Sequence, residues 1–175
     1  MKKRLIGIFL FTIICLAFVG CDSTKEDKVK KDDVVKVTEE NKTENKKEDN
    51  FKVDWEKCIE DTKKELTNKE YFGYVKDVYI KVEDNRITLT AALADATNDK
   101  VALDFADTML RRFNTNAQLQ DGSIKSGSKD YLGGLYDTYD ISIGIAPLSK
   151  TNSQKDWYVF DAISKGVQRE PKLQK

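Results

Sequence analysis

The chain of 175 residues has no histidine, only three cysteines and two prolines, and its 30 Lys plus Arg balance 30 Asp plus Glu. Each shortage excludes something. Without histidine there is no Ser-His-Asp triad, no Cys-His dyad and no His-ligated zinc site. Without a basic surplus the chain lacks the phosphate-neutralising charge of a nucleic-acid binder, and its pI of about 6.4 points the same way. The length suits one domain of ordinary size.

What is present first is an export signal. Lys2, Lys3 and Arg4 precede an uncharged apolar run from Leu5 to Val19, the outline of a secretory leader. Leu5 to Gly20 spans sixteen residues, short of the roughly 20 that a membrane-crossing helix requires. Ala17-Phe18-Val19 is not a clean small-x-small cleavage site for simple secretion. Phe18-Val19-Gly20-Cys21 instead resembles the lipobox of bacterial lipoproteins, with Phe18 where that family prefers Leu. The resemblance implies that the Cys21 sulfur receives a diacylglyceryl group and that cleavage makes Cys21 the new N-terminus. Two acyl chains anchor stably where one binds marginally. In that family an Asp after the lipidated cysteine, here Asp22, implies retention at the inner membrane of double-membraned bacteria; a single-membraned bacterium offers only its cytoplasmic membrane. The expected location is the outer face of the cytoplasmic membrane.

This assignment empties the cysteine inventory. Cys15 leaves with the signal peptide of residues 1–20, Cys21 carries lipid, and Cys58 alone remains, so no internal disulfide is available.

From Asp22 to Asn50, eighteen of 29 residues are charged, eight Lys against ten Asp or Glu, and none is aromatic. Such a segment cannot offset its ordering entropy by burial, so residues 21–50 read as a disordered tether with a reach of roughly 30 Å. Removing the three positive residues of the signal leaves the mature side chains at 27 − 30 = −3. An anionic tether stands off an anionic membrane, and the anchoring falls to the lipid.

Residues 51–165 read as a single α+β domain, since all fourteen aromatics of the mature chain lie between Phe51 and Phe160. Trp55, Cys58, Ile59, Thr62 and Leu66 recur at helical spacing after Asp54, a suitable N-cap, with Asn68 as the stop. Cys58 falls on that stripe as a small hydrophobe. Val78, Ile80 and Val82 alternate on one side of Asp84-Asn85 and Ile87, Leu89, Ala91 and Leu93 on the other, which predicts a hairpin with one buried face. A second helix is predicted over about 98–113, where Val101, Ala102, Phe105, Ala106, Met109, Leu110 and Phe113 form a stripe. Asp104, Asp107 and Arg111 suit surface ion pairs on its other side. Further strands are predicted near 135–145 and 157–163, and the tail of 166–175 is expected to fray. The αββαββ order predicts a two-layer sandwich: a four-stranded, mainly antiparallel sheet with two helices on one face. Tyr74 to Phe113 is distantly similar to the strand-strand-helix of BON-type envelope domains, without their glycine pattern.

Chemistry has one candidate region. The connection from Phe113 to Leu135 is long for a compact domain and Gly- and Ser-rich, and Tyr131, Tyr136, Asp137, Tyr139 and Asp140 follow as a candidate binding surface. The same aromatics also suit covering a sheet edge. Ser126-Gly127-Ser128-Lys129 matches the Ser-x-x-Lys spacing of penicillin-binding proteins, but the companion Lys125-Ser126-Gly127 overlaps it in one loop, where that chemistry needs separate elements. Asp121 to Asp130 lacks the alternating acids of a calcium loop. No catalytic residue, cofactor or metal is assigned.

The reading is a membrane-anchored lipoprotein with a non-catalytic interaction domain, an immunity-type protective role being one subtype. Its expected partners are the membrane, through the lipid, and an envelope protein or the cell wall, with no nucleic acid. The rivals are a small envelope hydrolase using paired carboxylates, which needs no histidine, and an accessory binder of peptidoglycan or lipid.

Overall fold

The computed structural model describes residues 51–174. The expected signal peptide, Cys21 and the expected tether lie outside them. Helix α1 (Trp55–Leu66) starts where predicted, with the Asp54 carboxylate accepting from the Lys57 N–H at 3.1 Å. Strands β1 (Val75–Glu83) and β2 (Arg86–Leu93) form the hairpin, Glu83 pairing with Arg86 across Asp84-Asn85. Asp84 takes the left-handed conformation at φ 49°. Asn98 caps α2 (Asp99–Gln120) by accepting from the Val101 N–H at 3.0 Å. Strands β3 (Asp140–Pro147) and β4 (Val159–Ile163) complete the sheet, with short 3-10 turns at Gly134–Asp137, Leu148–Lys150 and Gln154–Asp156. Among the described residues no helix is long and apolar enough to cross a membrane.

The α+β class holds, but the sheet is mixed rather than mainly antiparallel. Its order is β1-β2-β3-β4, and the central β2–β3 pairing is parallel. The cause lies between those strands. At 22 residues, α2 is about 33 Å long and carries the chain back past the sheet, so β3 starts at the end where β2 started. Each outer pair is antiparallel.

One sheet face is apolar in register. Val82, Ile87, Ile141 and Ile163 form one row across all four strands, and Val78, Ala91, Ile145 and Val159 form another. Helices α1 and α2 pack on each other and against these strands. Phe105, Met109, Leu110 and Phe113 of α2 are fully enclosed, each apolar side chain worth roughly 1.5–3 kcal/mol of transfer from water.

Helix α2 runs two turns past its predicted end, so the long connection shrinks. Two buried asparagines hide this continuation, because they interrupt the apolar stripe. Asn114 donates to the Lys125 carbonyl and accepts from the Leu135 N–H, both at 3.1 Å. Asn116 donates to the Thr62 hydroxyl at 2.9 Å, and that hydroxyl donates to the Cys58 carbonyl at 2.7 Å. These three buried side chains, Thr62, Asn114 and Asn116, each have a partner, as burial demands. Gly133 passes so close to Asn114 that a Cβ there would lie 2.1 Å from the amide carbon, and its φ of +134° excludes other residues as well.

The tail makes backbone contacts with the sheet edge. Leu173 bridges Val159, and the Gln174 N–H donates to the Tyr158 carbonyl at 2.8 Å.

Candidate functional site

The predicted surface residues do not form one surface. Tyr136 is fully buried, and its hydroxyl donates to the Leu110 carbonyl at 2.7 Å. It belongs to the core. Tyr139 leans edge-on against Trp55, with ring centroids 5.7 Å apart. Asp140 closes the hairpin end: its N–H donates to the Asn85 carbonyl at 2.7 Å and its carboxylate accepts from the Lys165 N–H at 2.9 Å.

Tyr131 and Asp137 do come together. The Tyr131 hydroxyl donates to Asp137 at 2.6 Å, and Gln168 donates to the other carboxylate oxygen at 2.9 Å. Gln168 also accepts from the Leu132 N–H at 2.8 Å, and the Lys125 ammonium stands 3.8 Å from Asp137. Burial, then the hydrogen bond to Asp137 and its negative charge, push the Tyr131 phenol up to about 12. The phenol therefore stays a donor near neutrality, suited to holding a loop rather than to proton transfer. Arg111 fastens the same loop from α2: its Nε reaches Asp107 at 2.6 Å, and its terminal nitrogens donate to the carbonyls of Ser128, Lys129 and Tyr131. An open groove of about 310 Å³ lies beside Arg111, Tyr131, Leu132 and Gln168.

The catalytic look-alikes find no support in the geometry. The Ser126 hydroxyl accepts from the Gln118 amide at 2.6 Å, and the Ser128 backbone pairs with Tyr131. Cys58 is buried, its thiol directed to the Phe113 carbonyl at 3.9 Å, and desolvation pushes it up to about 12. Three carboxyls, Asp95, Asp121 and Asp161, are displaced downward by the hydrogen bonds they accept, whereas a general acid needs the opposite shift. Among the described residues no three acids or cysteines converge as a metal site.

The feature that periodicity missed is the outer sheet face. Tyr79, Thr90, Gly144 and Phe160 form one cross-strand row there, and Lys81, Thr88, Ser142 and Ala162 the next. Tyr79 is 51% exposed and Phe160 48%. Trp157, expected to open the last strand, instead lays its six-membered ring over Gly144; a Cβ at that glycine would sit 2.3 Å from the ring. The indole N–H donates to the Lys150 carbonyl at 3.2 Å, and Phe160 stands against the indole at 5.6 Å and 87°. A glycine inside a strand was the available signal, since it marks close approach of another group.

No family model, curated protein or solved structure matches the chain. The similarity of Tyr74 to Phe113 to BON-type domains thus rests on element order alone.

Proposed function

We propose that this protein is a lipid-anchored module on the outer face of the cytoplasmic membrane, whose domain binds an envelope protein or the cell wall without catalysing a reaction. The location rests on the Gly20-Cys21 lipobox and its basic, apolar leader. The binding role rests on one observation: the outer sheet face, uncharged at its centre, holds Tyr79 and Phe160 half exposed to solvent, with the partly buried Trp157 ring against Phe160. Aromatic rings on a rigid sheet give large contact area at low entropic cost.

Capture experiments on cell envelopes test both parts. Cys21→Ala should release the protein from membranes while the domain stays folded; retention after a high-salt wash contradicts the lipid anchor. Trp157→Ala with Phe160→Ala should keep the protein on the membrane and lose its captured partner. Unchanged capture by a folded double variant removes the outer face from the reading.

A further inference from the structure

The apolar core ends at Ile163. From Ser164 to Gln174 only Pro171 is buried, and Val167 and Leu173 are 43% and 38% exposed. This segment is held by polar contacts. Arg169 grips both carboxylate oxygens of Asp161, at 2.6 and 2.9 Å, and donates to the Ala162 carbonyl at 3.1 Å. The Lys172 N–H adds a third bond to Asp161 at 3.0 Å. Gln168 joins the Tyr131–Asp137 pair, Leu173 forms an isolated bridge to Val159 of β4, and the Gln174 N–H donates to the Tyr158 carbonyl just before that strand. The chain enters the segment through Gly166, at φ +77°. Beside it, an open groove of about 650 Å³ runs between Leu103 and the Phe160, Asp161, Pro171 and Leu173 side chains.

These facts describe a ligand more than a structural element. An edge strand with unpaired backbone groups is a template for another extended chain. Here part of the template is taken in cis, at the Val159–Leu173 bridge, by a segment of which only Pro171 is buried, so its release would be a local opening rather than unfolding. The occupant also defines what fits. Asp161 is 13% exposed, and once unpaired it needs a cation. Contact with both oxygens selects the planar fork of arginine over the point charge of lysine. Four residues beyond the arginine, an aliphatic side chain lies at the Leu173 position.

We infer that the β4 edge is a peptide-binding site, that residues 164–174 occupy it in cis through the Arg169–Asp161 pair and the Leu173–Val159 bridge, and that an extended peptide carrying arginine for Asp161 and an aliphatic residue four positions later replaces them. This goes beyond the outer face, which lies on a different side of β4. Because the cis segment acts at high effective concentration, the site is closed to weak competitors until that segment is loosened.

The test uses the full chain and a synthetic peptide of residues 166–175 as the probe. Arg169→Ala should loosen the strap: the Gln174 amide loses exchange protection while α2 keeps its own. That variant should bind the peptide at least tenfold more tightly than the unsubstituted chain does, with shifts at Tyr158 to Ile163. Adding Asp161→Asn, or placing alanine at Arg169 of the peptide, should abolish binding. Arg169→Lys should fall between, keeping charge but losing the fork. A folded Arg169→Ala chain that ignores the peptide, or binds it regardless of Asp161, overturns the inference. So does loss of α2 protection in Arg169→Ala, which makes the strap part of the fold.

Discussion

The Tyr136 hydroxyl donates to the Leu110 carbonyl at 2.7 Å from a ring that is wholly buried, so the 3-10 turn at Gly134–Asp137 is bolted to α2. A tyrosine flanked by acids in sequence thus serves as core, with its polar tip satisfied by a helix carbonyl. Tyr136→Phe keeps the shape and loses one hydrogen bond, and should cost about 1 kcal/mol in urea unfolding. Tyr136→Ala should cost about 3–5 kcal/mol. Equal, negligible losses for both would mean that the ring is not enclosed.

The C-terminal strap should respond to acid. Burial alone would raise the Asp161 carboxyl, but the ion pair and hydrogen bond from Arg169 and the bond from the Lys172 N–H outweigh it and hold it below the ordinary aspartate value. A carboxyl lowered in the folded state stabilises above its unfolded pKa, and that stabilisation is lost as pH falls through the folded one. Resonances of Leu173 and Gln174 should therefore move to free-chain positions in strong acid, below the ordinary aspartate range. Asp161→Asn should show those positions already at neutral pH. The same acid profile in wild type and Asp161→Asn would assign the transition to another group.

These features differ in how far the sequence displays them. The α1 cap and the hairpin were legible because their causes are local: Asp54 accepts from a donor three residues away, and the β1–β2 turn is two residues long. The parallel pairing was not, because alternation along β3 looks the same in either direction. Asn114 and Asn116 disguised the last turns of α2, since a buried asparagine reads as surface until its partners at Lys125, Leu135 and Thr62 are known. The strap's attachment to Asp137 spans 31 residues through a single side-chain bond and leaves no period to detect. Of the expected site, the Tyr131–Asp137 contact formed, while Tyr136 went to the core.

Cys58 should be chemically silent. Its thiol, raised to about 12 chiefly by burial, stays protonated through the whole physiological range and is closed to reagents. In a chain with Cys15 and Cys21 replaced by serine, thiol labelling at mildly alkaline pH should proceed only as fast as unfolding and accelerate with denaturant. Rapid labelling of the native chain would show that α1 opens locally at Cys58.

Gly144 and Trp157 should be coupled with opposite signs in two backgrounds. Alanine at 144 places a methyl group 2.3 Å from one carbon of the indole and 2.8 Å from the next, distances that no fixed ring accepts. The indole must leave, giving up its bond to Lys150 and its contact with Phe160. Gly144→Ala in the native background should therefore cost about 1–3 kcal/mol, as overpacking does, and shift the tryptophan emission. Once Trp157→Ala has removed the ring, the nearest remaining group is the Thr90 methyl at 3.3 Å, a tight contact at the end of a side chain. Alanine then restricts the unfolded chain more than glycine does, which favours the folded strand by roughly 0.5–1 kcal/mol. Gly144→Ala should thus change from destabilising to neutral or stabilising, and the double-mutant cycle reads the difference as the coupling between the two positions. A cycle that closes to zero would mean that the indole does not rest on Gly144, and the outer face would lose its central aromatic.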